Sequence, residues 1–342
     1  MKTFTGRWIV AASLLLASGL QASAQELPAD LVDKAKAEDS TLSYYFILGA
    51  EANRPLYDSF KAAYPAAEFE VTGGDPLGLI EKVINEATSG QPVADILQGG
   101  PMEDGILNVQ RQLGMDYRPA NEAKVPDNLK FQGSYVVPDY FTFHIAYNSD
   151  LVSAEEAPKT LAELADPKWK GKFGIDVEQI DWFAGQLALL GEEEGIALMK
   201  KLAANEPVVF AGAQGYEQLA AGGLPVIVNT FSAVLVSYID AGAPIAIAKS
   251  PVVIAQPDIY IGLKQSDNPE TVKLFFEFLF TEEAQKILSQ GVYKNPVLPG
   301  VPQPPHLEDA LADDVERFFV TSENWGNFDE RIKLFQSLFV QG

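Results

Sequence analysis

Side chains able to do covalent or acid–base chemistry are sparse in this 342-residue chain, which has two histidines, His144 and His306, and no cysteine. His144 lies in the β-type run YVVPDYFTFHIAYN and His306 in the turn-like PQPPHLED, far apart in sequence. No G-x-S-x-G elbow, H-E-x-x-H zinc site or Walker loop occurs. The missing cysteines exclude thiol catalysis and cysteine-held metals. Paired carboxylates remain the catalytic arrangement an acidic chain can always offer, and they would suit a secreted hydrolase.

Binding chemistry is better represented. GGDPLGLI places Asp75 as a helix N-cap with Pro76 at the first helical position, and QGGPMED puts Gly100 and Pro101 at the next helix start. Such N-termini offer free N–H groups, and open α/β sheets hold ligands beyond the carboxyl ends of their strands. Aromatic residues gather at the same places: Tyr44 to Phe46, Tyr140 and Phe141, Trp182 and Phe183, and Phe231. The nearest basic residue is Arg54, so the lining suits a neutral, aromatic or cationic solute.

These turns need elements to hold them. TLSYYFILGA reads as a strand ending in a glycine turn, and EANRPLYDSFKAAYP behind it carries Leu56, Phe60 and Ala63 at helical spacing. AEFEVTGGDP with LGLIEKVINEATSG, and ADILQGGP with MEDGILNVQRQLG, repeat the unit. Strand, turn and helix three times over predict a parallel sheet with helices on its faces. A second α/β block follows the long run ending at Asn148, NPETVKLFFEFLFTEEAQKILSQ predicts an amphipathic helix pair, and two further helical stripes flank SENWGNFD. Extended crossings near residues 145 and 252 join the two blocks and create a cleft. Lobe one is expected over residues 25–144 and 253–302, lobe two over 145–252, and C-terminal helices packing on the lobes over 303–342.

The basic, aromatic knot DPKWKGKFGID stands out in a chain of net charge −22. Its lysines alternate with Pro, Trp and Gly on a turn entering a strand, which predicts a solvated turn with Trp169 folded inward. Asp176, where that strand reaches the cleft, is its candidate contact with a ligand. With 47 acidic against 25 basic residues, nucleic acid and anionic membranes are poor partners. The first residues place Lys2 and Arg7 before an apolar run and the A-x-A site Ala22-Ser23-Ala24, so a signal peptide over residues 1–24, cleaved near Ala24, and a periplasmic location are expected.

IAYNSDLV, TLAELADPKWKGKFGI, AAGGLPVIVN and VKLFFEFLFTEEAQKILSQGVYKNPVLPGV, in that order, resemble the extracellular solute-binding proteins of family 1, the receptors of ABC importers. The likeness is to the subgroup that binds ferric iron, thiamine, polyamines or phosphonates. It implies an α/β, type II periplasmic-binding-protein fold of two lobes, each a mostly parallel sheet flanked by helices, with the ligand cleft between them. It also implies a non-enzymatic monomer without cofactor, which closes over a small-molecule or metal-ion solute and delivers it to permease and ATPase subunits. The iron-binding members carry adjacent tyrosines after a lobe-two strand, where this chain reads VNTFSAVL, and phenylalanine has no oxygen for Fe(III). A small neutral or cationic organic solute is therefore favoured over ferric iron. The expected ligand contacts are Leu48, Gly49, Ala50, Gly74, Asp75, Gln98, Gly99, Gly100 and Tyr140, with Asp176, Trp182, Gln214, Gly215, Asn229, Thr230 and Phe231 across the cleft.

Overall fold

The computed structural model describes residues 27–47 and 50–340. The expected signal segment lies outside the described residues, as do Leu48 and Gly49. In chain order the elements are α1 (Ala29–Ala35), β1 (Thr41–Phe46), α2 (Arg54–Ala63), β2 (Glu68–Thr72), α3 (Pro76–Ser89), β3 (Ile96–Gly99), α4 (Pro101–Asp104) and β4 (Val136–Asn148). There follow α5 (Leu161–Leu164), β5 (Phe173–Asp176), α6 (Ile180–Leu190), α7 (Glu192–Ala204), β6 (Val208–Phe210), α8 (Ala213–Ala220), β7 (Val226–Phe231), α9 (Ser232–Asp240) and β8 (Ile245–Ile247). The chain ends with β9 (Val252–Gly262), α10 (Pro269–Leu279), α11 (Glu282–Gln290), β10 (Asn295–Pro296), β11 (Glu316–Phe319) and α12 (Phe328–Phe339).

Strands pair in the order β2-β1-β3-β9-β4-β7-β5-β6. β1 runs parallel to β2 and β3, and β5 runs parallel to β6 and β7. The two parallel groups are the two lobes. β9 and β4 lie antiparallel between them, paired from Val136–Tyr260 to Phe143–Ile254. These strands carry the chain across between the lobes, and every residue of β4 is buried, as a strand covered on both faces must be.

Local rules explain the boundaries. Asp75 Oδ1 accepts the Gly78 N–H at 2.8 Å with Pro76 at the first helical position, and Gly90 at φ +67° ends α3 in the left-handed conformation that glycine adopts without a Cβ clash. The knot behaves as expected: Trp169 is buried on a short 3₁₀ turn, and the chain enters β5 and reaches Asp176. One expectation fails at the C-terminus. The first of the two expected helical stripes is a run of turns that buries Leu307, Leu311 and Val315, followed by β11. β11 pairs in parallel with β9, and α12 then packs on α6, with Phe335 and Phe183 centroids 5.0 Å apart.

A buried ionic cluster lies beside the crossings in lobe one. Lys294 Nζ is 2.8 Å from Asp258 and 3.9 Å from Asp139, and all three side chains are almost fully enclosed. The rings of Phe46, Phe141 and Tyr260 surround the ammonium at 5.2, 5.2 and 5.7 Å. A desolvated cation is tolerable only with such partners.

Candidate functional site

A cleft of about 350 Å³ lies between Ile47, Gly74, Asp75 and Pro76 of one lobe and Asp176, Glu178, Gln179, Gly212, Ala213, Tyr216, Phe231 and Val234 of the other. Asp176 organises the lobe-two wall. It ends β5, and its carboxylate accepts N–H groups from Glu178 at 3.0 Å and Gly212 at 3.4 Å and the Gln179 side-chain amide at 3.1 Å. Asn229, near the end of β7, bonds the Asp176 backbone in both directions, at 3.0 and 2.9 Å. Burial pushes the Asp176 carboxyl above its usual range, against the pull of those donors. Glu178 is exposed, and its side chain takes no hydrogen bond or ion pair among the described residues. Although the residue as a whole is exposed, desolvation of its carboxyl against the cleft wall, then the charges of Asp176 and Asp75, raise its pKa.

The floor is aromatic. Tyr216 Oη accepts the Phe231 N–H at 2.8 Å and its ring stacks on Tyr238, while burial drives the phenol well above its ordinary pKa. Phe231 packs on Phe141 and Phe143 with centroids 4.1 and 5.1 Å away. Three carboxylates over an aromatic floor, with no lysine or arginine among the lining residues, give the cleft a negative potential. No three His, Cys, Asp or Glu side chains are grouped to hold a metal ion among the described residues.

The family model for bacterial extracellular solute-binding proteins matches residues 101–325. The chain belongs to that family. This solute-binding protein is a receptor of the ABC-importer type, as the resemblance implied. It is 25% identical over 305 residues to Iron uptake protein A2 of Synechocystis, covering 82% of this chain and 84% of that one. Iron-bound HitA from Pseudomonas aeruginosa superposes with a TM-score of 0.75 at 20% identity, over 87% of this chain and 99% of that one. The Trichodesmium protein IdiA (FutA), in complex with iron and citrate, gives 0.69 at 22% identity, over 87% and 99%. The two-lobed type II fold is therefore shared with these proteins.

Of the expected contacts, the solute-binding protein brings Gly74, Asp75, Asp176 and Phe231 together at the cleft. Others serve the scaffold. Gln98 is fully buried, donating to Asp258 at 2.5 Å and accepting from Tyr44 at 2.6 Å and Asn53 at 2.8 Å, and it does not line the cleft. Gly99 and Gly100 lie under Glu103, Asp181 and Gln256. Tyr140 packs against Phe319, and Trp182 lines a separate apolar cavity of about 190 Å³ with Phe143 and Ile254. Gly215 is pressed against Phe210, whereas Ala50 and Gln214 are exposed away from the cleft lining. Asn229 supports Asp176 from beneath, and Thr230 donates to the His144 carbonyl at 2.7 Å.

Sequence reasoning misses Glu178, Gln179 and Gly212 as lining residues. Glu178 and Gln179 follow Asp176 closely at the same strand end, so extending the strand-end rule by one turn would find them. Gly212, at φ +60°, faces them from the loop before α8, a juxtaposition made only in three dimensions.

Proposed function

We propose that the solute is ferric iron, taken up in the cleft by carboxylate oxygens, with Glu178 as the free donor, the oxygen of Asp75 that does not cap α3 facing it, and water or a small anion completing the coordination. The observation that carries this reading is that Asp75, Asp176 and Glu178 line one cleft from opposite lobes, with no basic residue in its described lining; they are not grouped at metal-binding distance as seen here, so closure of the lobes would have to bring them together. Hard oxygen donors suit a hard, highly charged ion. The names of the relatives, an iron uptake protein and iron-bound receptors, support this alternative better than the organic solute favoured from sequence. A cationic organic solute is the second reading. It rests on Phe231, whose ring supplies a face for a cation where an iron site would gain from an oxygen.

Isothermal calorimetry of the solute-free protein against Fe(III) citrate, putrescine and thiamine separates the two. Iron binding that weakens at least tenfold in Glu178→Gln supports the first reading. Binding of an organic cation, lost in Phe231→Ala and indifferent to iron, overturns it.

We further infer that lobe one spans residues 25–144 and 253–302 and lobe two 145–252, with the hinge in β4 and β9. The exported form begins near Gln25 in the periplasm, acts as a non-enzymatic monomer, and passes its solute to permease and ATPase subunits. Ligand contacts from both lobes favour the closed population, which is how binding is communicated.

A further inference from the structure

Away from the cleft, two acidic side chains lie on either side of one backbone residue, Gly100, at the junction of the lobes. Glu103 comes from α4 of lobe one and Asp181 from the first turn of α6 in lobe two, and both are at least nine-tenths buried. They flank the Gly100 backbone. The Gly100 N–H donates to Glu103 Oε2 at 2.7 Å, while a Cβ at Gly100 would collide with Asp181 Oδ2 and lie 2.5 Å from Gln256 Nε2. From the C-terminal segment, the fully buried Trp325 donates its indole N–H to Asp181. That segment bridges both lobes: Ser322 bonds Asp104 of lobe one at 2.5 Å, and Arg331 bonds the Ala184 carbonyl of lobe two at 3.0 Å.

The groups facing the pair are mostly acidic or neutral: the Met102 N–H is bonded to Asp181, and the buried cation of α12, Arg331, is turned to the Ala184 carbonyl and Glu192. α4 supplies Asp104, which is turned to Ser322 and Asn108, β9 supplies Gln256 and Asp258, and the C-terminal segment supplies Trp325 and, near Asp104, Glu323. Lys294, on the side of β9, is held by Asp258 and Asp139. Two ionised carboxylates in such a place would repel each other across the lobe boundary. Burial, then the neighbouring Asp181 charge, push Glu103 up to about 8, and burial pushes Asp181 up to about 7 against the Trp325 bond.

We propose that Glu103 and Asp181 form a proton-operated latch between the lobes: while a proton is retained the junction holds as seen here, and when both carboxyls ionise it loosens and frees the hinge. The latch works whichever solute is bound. Its sign follows from the direction of the shifts. Both groups bind protons more tightly folded than unfolded, so their contribution to stability falls as pH rises from about 4, where free carboxyls ionise, through about 8.

The chain has no cysteine, so a label pair can be placed without background. Val93 of lobe one and Val209 of lobe two are 56% and 43% exposed, and Val93→Cys with Val209→Cys supplies the pair. In the solute-free protein, the label-to-label distance distribution is expected to gain a second population as pH is raised, with a midpoint between about 7 and about 8. The change should disappear in Glu103→Gln and Asp181→Asn and survive in His306→Gln. Trp325→Phe, which keeps both carboxyls but removes a bond that favours ionised Asp181, should move the midpoint upward. A wild-type distribution that stays constant across that range, or a change that persists in both carboxyl variants, overturns the latch. Should both variants fail to fold, an unmoved midpoint in Trp325→Phe overturns it instead.

Discussion

The turns GGDP and QGGP look alike in sequence and end strands of one lobe, yet one faces the cleft and the other is sealed. Each carries glycine close before a proline at the first helical position. The difference lies in where the sheet puts them. β2 is the outer strand, so Gly74 and Asp75 project into open space, whereas β3 lies between β1 and β9, and β9 carries Gln256 and Asp258 against its end. Local chemistry makes the turn; strand order decides whether a solute can reach it.

Substitutions should separate the two turns sharply. Lys294→Met strikes the cluster that holds Gln98 and leaves Asp258 and Asp139 buried without their cation, for an expected loss of about 3–5 kcal/mol in urea unfolding. Gly100→Ala forces a methyl into the space of Asp181 Oδ2 and Gln256 Nε2. Since Gly100 already has extended backbone, the expected cost of about 1–3 kcal/mol is steric alone, and a Tm unchanged from wild type would show that this junction yields easily. At the open turn, Asp75→Ala removes the N-cap of α3 for about 1 kcal/mol and should weaken solute binding in the same calorimetric assay. Gly74→Ala meets only the flexible end of Leu79, at 3.1 Å, and should change stability by less than about 0.5 kcal/mol. Equal losses at Gly74 and Gly100 would erase the distinction.

Much of the scaffold was legible because it is written locally. Asp75 and Pro76, the periodicity of α10 and α11, and the buried Trp169 before β5 all follow from side-chain spacing and cap chemistry. The site was less legible. Gln98 reads as a strand-end amide free to bind a solute until Asp258, 160 residues later, is seen to claim it. Tyr140 and Trp182 read as cleft aromatics, but the pleat of a strand covered on both faces and the inner stripe of a helix send them into the core. Pairings such as Glu103 with Asp181 join distant segments through the fold, and no spacing within either segment announces them.

The reciprocal bonds between Asn229 and the Asp176 backbone carry one more consequence. Backbone pairing of β5 with β7 stops at Gly174–Ile227, and the Asn229 amide continues the ladder by presenting a donor and an acceptor as a peptide group would. The strand ends beneath the cleft are thereby stitched together where a sheet would ordinarily splay. On the hinge proposed above, lobe two would swing as a rigid plate, carrying Asp176 and Glu178 toward Asp75 without altering their spacing, so that the motion would change the width of the mouth but not the pattern of charge on its wall.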